Sequence, residues 1–262
     1  MWGDRPGRQL PSAPRAFTLV ELLVVIGIIG LLAALLTPAV MQSLTKARNA
    51  AIKSEIDMLH TAIMNYKSEY GSFPPATDNS YTAGTPAVRH LARLFPRVTN
   101  VPAQFAGLAA LTPYNAMFAW LSGFTDDPSS PLVPATSRKK LFDFDQSRVA
   151  NMQYHPSGKP LSPYIYIPSS EYNTYPYNDA LIASGGYGAH FVPPPSLPTA
   201  LPSDPRRWFT KLELAAPQNQ SYANPDTFQI LCAGRDEQFG TDDDLSNFWP
   251  GTRREYLDSL KD

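Results

Sequence analysis

The residues best equipped for chemistry lie near the carboxyl end. RDEQFGTDDDLSNFW, residues 235–249, gathers Asp236, Asp242, Asp243 and Asp244 around Gly240. Carboxylates grouped this way are hard oxygen donors. A calcium ion takes about 6–8 such oxygens from carboxylates, carbonyls and water, and a glycine lets the backbone turn tightly around it. The spacing is not that of an EF-hand, whose loop closes on a glutamate. The competing readings are a solvated acidic turn and a helix cap at Asp242. A further carboxylate stands apart, because Glu21 is the one ionisable side chain in AFTLVELLVVIGIIGLLAALLTPAV, residues 16–40. A charge at the mouth of an apolar run is expensive in hydrocarbon, so it is expected to have a partner or a task.

Other catalytic constellations are thin. The four histidines, His60, His90, His155 and His190, are scattered, with no HExxH and no cysteine-pair zinc spacing. There is no GxSxG elbow and no Walker loop, and SGGYGAH at 184–190 lacks the phosphate-loop lysine, so it reads as a turn. Cys232 sits inside an apolar strand pattern, which predicts an inert buried thiol. The chain is therefore expected not to be an enzyme. Its 22 basic and 23 acidic residues leave no basic field for nucleic acid. Charged residues make up 17% of the 262 and prolines number 27, a pairing that predicts a loop-rich exterior domain. One cysteine cannot form an internal disulfide.

The elements that position these groups follow from periodicity. Leu22 to Met41 runs 20 residues without a charge, enough at about 1.5 Å per residue to cross the hydrocarbon core of a bilayer. A cleaved secretory signal would have a shorter apolar core and a break after it, whereas here the helical pattern continues past Pro38. Arg5, Arg8 and Arg15 before the span are matched by Lys46, Arg48 and Lys53 after it, so the positive-inside count does not orient it. Ile52, Ile56, Leu59, Ile63, Tyr66 and Tyr70 then step by four and three, one apolar stripe, with Lys53, Glu55, Asp57 and Lys67 off it. Gly71 supplies a stop, with Pro74 and Pro75 beyond. The spacing predicts one helix from about Phe17 to Tyr70.

These residues carry a family resemblance. A short basic leader, then FTLVELLVVIGIIGLLAALLTPA with the glutamate fifth from Phe17 and the proline twenty-second, resembles the amino terminus of type IV pilins and type II secretion pseudopilins. The resemblance covers residues 15–70. It implies cleavage between Ala16 and Phe17 by a prepilin peptidase, N-methylation of Phe17, and polymerisation into a helical fibre. One departure is Ala16, where the family has glycine. The resemblance also gives Glu21 a role. In a fibre of staggered parallel helices it would neutralise the new α-amino group of Phe17 on a neighbouring subunit and so set register. Without the family, Glu21 snorkelling to the headgroups is the simpler reading. Gly27, Gly30, Ala33 and Ala34 add small residues, which suit close helix approach or ordinary membrane composition equally.

TFQILCAG, residues 227–234, reads as a short buried strand that leads into the acidic loop. Strand and loop together are similar to the calcium loop of the major pseudopilin, with Asp236 and Asp244 at its two acidic positions and Glu237 where a glycine is usual. Residues 76–226 exceed the family pattern. VRHLARLFPRV and LTPYNAMFAWLSGF have helical periodicity, and PYIYIPSSEYNTYPYND alternates like edge strands broken by prolines. A surface this rich in tyrosine suits glycans or protein partners, or simply packs against loops.

The expected fold is α+β and pilin-like, a long amino-terminal helix on a small antiparallel sheet with a large insertion. The expected organisation is a leader over 1–16, a transmembrane helix over 17–41 and its amphipathic continuation over 42–75. The insertion over 76–226 and the strand, calcium-type loop and tail over 227–262 follow. The resemblance implies an inner-membrane subunit with a periplasmic head, assembled with secretion platform proteins and minor pseudopilins. The alternatives are a type IV pilus subunit, which usually has a disulfide loop, or a membrane-tethered glycan-binding or hydrolytic domain on a pilin-type anchor.

Overall fold

The computed structural model describes residues 18–106, 108–133, 138–158, 162–171, 224, 226–237, 239 and 241–259. Ala16, Phe17, His190, Gly240, the glycines of SGGYGAH and the tyrosines beyond Glu171 in the 163–179 segment lie outside those residues. The chain forms two compact units, Met1–Ala47 and Arg48–Asp262.

Helix α1 (Leu19–Tyr70) contributes to both units and passes Pro38 without ending. In the first unit its large apolar side chains are exposed, Leu19 at 84% and Leu31 at 64% among them. The helix is long and apolar enough there to cross a membrane.

In the second unit the periodic stripe is the core. Ile52, Ile56, Leu59, Ile63 and Tyr66 are buried, and Tyr70 is half-buried beside them. Burial of each aliphatic side chain contributes roughly 1.5–3 kcal/mol. Gly71 ends the helix with φ +80°, its N–H donating to the Lys67 carbonyl at 2.7 Å, a backbone state that an L side chain resists. One stripe assignment needs correction. Glu55 is not on the solvated flank but is buried at 9% exposure, because its helical position lies three residues after Ile52 and four before Leu59.

The sheet packs on that stripe. Strands β1 (Val149–Ala150) and β2 (Gln153–Tyr154) form a hairpin. Strands β3 (Ile165–Pro168), β4 (Phe228–Cys232) and β5 (Leu245–Ser246) form an antiparallel sheet in the order β3-β4-β5. Ile165 pairs with Leu231, Pro168 with Phe228 and Cys232 with Leu245. Pro168 is tolerated because β3 is an edge strand. Phe228, Ile230 and Cys232 join the α1 core, while Leu231 joins Ile165, Ile167, Tyr114 and Phe239 in a second apolar cluster. Strand β4 is thus buried on both faces. Burial pushes the Cys232 thiol up to about 12, so the inert thiol is what the structure contains.

Short helices α2 (Pro86–Leu94), α3 (Val101–Gln104) and α4 (Ala116–Leu121) come from the segment beyond the helix stop. The LTPYNAMFAWLSGF pattern is helical only to Leu121. Gly123 turns the chain at φ +80°, and a Cβ there would lie 1.8 Å from the Lys139 carbonyl oxygen. Phe124 then bridges to Lys139 and packs its ring on Phe95 at 4.9 Å. The chain closes with α5 (Arg253–Ser259). The fold is therefore α+β, a long amino-terminal helix with small antiparallel sheets and loop-rich connections.

Aromatic hydroxyls and ring nitrogens tie this core to the backbone. Trp120 Nε1 donates to the Pro75 carbonyl at 2.8 Å and the Tyr166 hydroxyl to the Pro74 carbonyl at 2.9 Å. His90 lies 2.8 Å from the Tyr66 hydroxyl through Nε2 and 3.1 Å from Arg93 Nη2 through Nδ1. Burial, and then the Arg93 charge, lower its pKa to about 4. The neutral ring is what folds, so the stability it gives is present above the ordinary histidine range and is lost as pH falls toward 4. The loss approaches roughly 3 kcal/mol. Burial raises the Glu171 pKa, which acts in the opposite sense over acidic pH. Comparing wild type with His90→Gln in urea titrations at pH 7 and pH 4.5 isolates the histidine. The variant is expected to show the shallower pH dependence, and parallel curves would contradict the assignment.

Candidate functional site: the amino-terminal carboxylate, its helix and the acidic loop

At the start of α1, Glu21 is held locally. Its Oε2 accepts from the Thr18 backbone N–H at 2.9 Å and from the Thr18 hydroxyl at 2.8 Å, while the Glu21 N–H donates to Thr18 Oγ1 at 3.2 Å. This is a capping box, in which Thr18 and Glu21 satisfy each other's free donors at the helix mouth. The signal was present in the sequence as TLVE, a Thr-x-x-Glu before an apolar run. The cap parks the carboxylate at the positive end of the helix dipole without burying it. Further along, Gly27 and Gly30 have nothing within 4 Å of an added Cβ, so no described residue of this chain requires them to be small.

In the second unit α1 is locked to the sheet side by a polar cluster that residue patterns do not reveal. Arg148 donates to both carboxylate oxygens of Glu55, at 3.0 Å through Nη1 and by a second short contact through Nη2. The Tyr154 hydroxyl donates to Oε1 at 2.7 Å and the Tyr164 hydroxyl to Oε2 at 2.6 Å. The guanidinium also lies over the Tyr154 ring at 4.6 Å. Burial above all raises the Tyr164 pKa, with the neighbouring Cys232 and Glu55 acting in the same direction, so that phenol stays a donor. A carboxylate receiving four donors this deep in the fold fixes the rotation of α1 against β2 and β3.

The acidic loop is tightly wrapped. Gly234 takes φ +60°, and a Cβ there would lie 2.4 Å from the Asp243 backbone oxygen. Asp243 turns inward. Its Oδ2 accepts from the Arg235 and Asp236 N–H groups at 2.5 and 3.2 Å, and its Oδ1 accepts from the Thr241 hydroxyl at 2.8 Å. Asp242 faces Arg254 at 3.3 Å and Arg253 at 3.8 Å. Asp244 is buried at 3% exposure, and its backbone carbonyl accepts from the Arg253 N–H. Asp236 is exposed. Glu237, at the position where the resembled loops have glycine, is forced to φ +62°, a strained state for a side chain. The cap of α5 is Thr252, paired with Glu255 in a second capping box, rather than Asp242. Lys53 and Asn247 tie the loop's base to α1 and β4. Lys53 donates to the Ser246 carbonyl at 2.9 Å, and Asn247 accepts from the Ile230 N–H at 2.9 Å.

By donor type the four aspartates fit a hard divalent cation. Their arrangement sets Asp242 on arginines and Asp243 on backbone amides. Among the described residues no three histidine, cysteine, aspartate or glutamate side chains surround one point as they would a metal ion.

Comparison with known proteins bears on the amino terminus. Residues 12–37 match the prokaryotic N-terminal methylation motif. The chain is 36% identical over 87 residues to the type II secretion system core protein G of Klebsiella michiganensis, a match covering 33% of this chain. It spans 61% of that relative's length. No solved structure matches. The amino terminus thus carries the methylation motif, and a third of the chain is similar to a core protein of type II secretion.

Proposed function

We propose that this chain is a non-enzymatic structural subunit, cleaved between Ala16 and Phe17, N-methylated on Phe17, and polymerised into a periplasmic pseudopilus for type II secretion. The observation that carries the reading is the methylation motif over residues 12–37, with Glu21 as the lone charge of the apolar run it opens. Prepilin peptidase would act on the leader, and platform proteins and minor pseudopilins would act in assembly at the inner membrane. Similarity to a core protein of type II secretion favours this reading over a pilus subunit or a tethered glycan-binding domain. In the mechanism, the apolar half of α1 stores the subunit in the membrane, and the Thr18 cap holds Glu21 until a neighbour's amino group replaces it. Gly27 and Gly30 let neighbouring helices approach closely. Co-expression with a prepilin peptidase is expected to shorten the chain by the leader, with Ala16→Gly cut at least as well. An unshortened chain would contradict the processing step.

The acidic loop supports a second part of the proposal, that calcium stabilises the head. Asp236, Asp242, Asp243 and Asp244 would hold the ion, whose charge would screen carboxylates that otherwise repel. In a thermal melt of residues 45–262, calcium at a hundredfold excess over Kd is expected to add about 2.7 kcal/mol. Because Arg254 competes for Asp242, Arg254→Ala is expected to enlarge the calcium response. A midpoint unchanged between chelator and millimolar calcium would leave the loop as an arginine-paired turn.

A further inference from the structure

Strand β5 ends at Ser246, and the side chain of the next residue, Asn247, carries its ladder with β4 one step further. Asn247 Oδ1 accepts from the Ile230 N–H at 2.9 Å, and Nδ2 donates to the Phe228 carbonyl at 3.2 Å. The Asn247 backbone N–H donates to the Ile230 carbonyl at 3.1 Å. Because a backbone donor meets one end of the amide and a backbone acceptor the other, the chain itself decides which end is oxygen and which nitrogen. That leaves one Nδ2 proton to place. His60 Nδ1, on α1, lies 3.0 Å from the same Nδ2.

An amide NH₂ group has two protons and only donates, so His60 Nδ1 must be the acceptor. His60 is therefore neutral, with its one ring proton on Nε2. The ring is half-buried and packs on Phe228 with centroids 4.9 Å apart. One side-chain amide thus joins α1 to both β4 and β5, and its hold on α1 lasts only while the imidazole keeps the Nδ1 lone pair. An imidazolium donates from both nitrogens, so protonation would set donor against donor at this contact.

The surroundings decide where a charged ring would go. On α1, Asp57 lies one turn back and pairs with Lys53 at 3.0 Å, while Lys53 also donates to the Ser246 carbonyl at 2.9 Å. Strands β4 and β5 add only the Cys232 thiol as an ionisable group, and burial keeps it protonated. Burial lowers the His60 pKa, with the Asp57 charge opposing and the Lys53 charge reinforcing that shift. A lowered histidine favours the neutral folded form, so the contact is present above the ordinary histidine range and is lost as pH falls below it. Asp57, three residues before His60, offers the imidazolium a partner on its own helix face.

We propose that His60 and Asn247 form a pH-sensitive latch, which holds α1 to the end of the β4–β5 ladder in neutral solution and releases it in acid. The latch is independent of processing and of fibre assembly. Nuclear magnetic resonance of the uniformly ¹⁵N-labelled full chain in detergent micelles tests it, with the His60 ring signals assigned by their loss in His60→Gln. Two-bond ¹H–¹⁵N correlations at pH 7 are expected to show the Nε2–H tautomer for His60. Amide exchange at Ile230, whose acceptor is the Asn247 side chain, is then followed from pH 7 to pH 4.5 and corrected for the intrinsic pH dependence. Its protection is expected to fall by about tenfold, the order of one lost hydrogen bond, in step with the titration of the His60 ring. In His60→Gln, which keeps an acceptor and cannot titrate, protection at Ile230 is expected to stay level over the same range. A His60 ring with its proton on Nδ1 at pH 7 would overturn the proposal, and so would Ile230 protection that ignores the ring's titration or falls equally in His60→Gln. The wild-type tautomer and exchange decide by themselves should the variant fail to fold.

Discussion

Truncating Glu55 to alanine is expected to cost the head about 3–5 kcal/mol, the penalty for stranding one half of a buried ion pair. Four donors on three side chains lose their acceptor at once, the Tyr154 and Tyr164 hydroxyls and the Arg148 guanidinium, which keeps only the half-exposed Asp145 at 3.5 Å, and the side chains of Glu55 and Arg148 are only 11% and 20% exposed. Water cannot readily replace the carboxylate for groups so enclosed. Set against a domain stability of about 5–15 kcal/mol, this leaves the variant marginal or unfolded. Urea unfolding of residues 45–262 followed by far-ultraviolet circular dichroism measures it. The Glu55→Leu, Arg148→Met pair is a sharper check, because replacing both partners with apolar side chains of similar volume is often neutral. The pair is expected to recover most of the loss. A Glu55→Ala variant within about 1 kcal/mol of wild type, the usual range of a surface ion pair, would contradict the role of the cluster.

Glu55 also marks where sequence legibility ends. The stripe from Ile52 to Tyr70 was readable because helical periodicity is local, and the Gly71 stop because only a glycine takes its backbone angle cheaply. Glu55 was misplaced because its partners lie 93 to 109 residues away, and nothing near it announces them. The Thr18–Glu21 capping box is legible as TLVE, since both its partners lie within one helical turn. For the acidic loop, the resemblance marked Glu237 as standing where a glycine is usual, and its backbone is left-handed at φ +62°; the bend expected at Gly240 lies outside the described residues. It did not foretell that Arg253 and Arg254, on a helix a few residues on, would face Asp242. Charge pairing across a turn depends on where α5 docks, which composition does not encode. The buried strand expected at TFQILCAG is β4, and both of its faces are buried because a second cluster, with Tyr114 and Phe239, covers the far side.

Glu21→Leu is expected to abolish fibre assembly while leaving membrane insertion intact or improved. Insertion improves because a carboxylate in an apolar span is removed. Assembly fails because the proposed partner, the amino group of Phe17 on a neighbouring subunit, is left as an uncompensated charge in the helix core. Cross-linking in intact cells reads the outcome, and multimers beyond the dimer are expected to fall by about tenfold or more. The capping box supplies the discriminating variants. Glu21→Gln keeps a hydrogen-bonding group near Thr18 but removes the charge, and it is expected to fail as Glu21→Leu does. Thr18→Ala removes the cap and keeps the charge, and it is expected to assemble. The reverse pattern would assign Glu21 to helix capping alone.

The central claim is that the assembled subunit begins at Phe17. Mass spectrometry of the amino-terminal peptide, taken from cross-linked multimers, tests it most directly. The account predicts a peptide starting at Phe17 and carrying one added methyl group on its α-nitrogen. Multimers that retain residues 1–16, or that begin at any other residue, would contradict it.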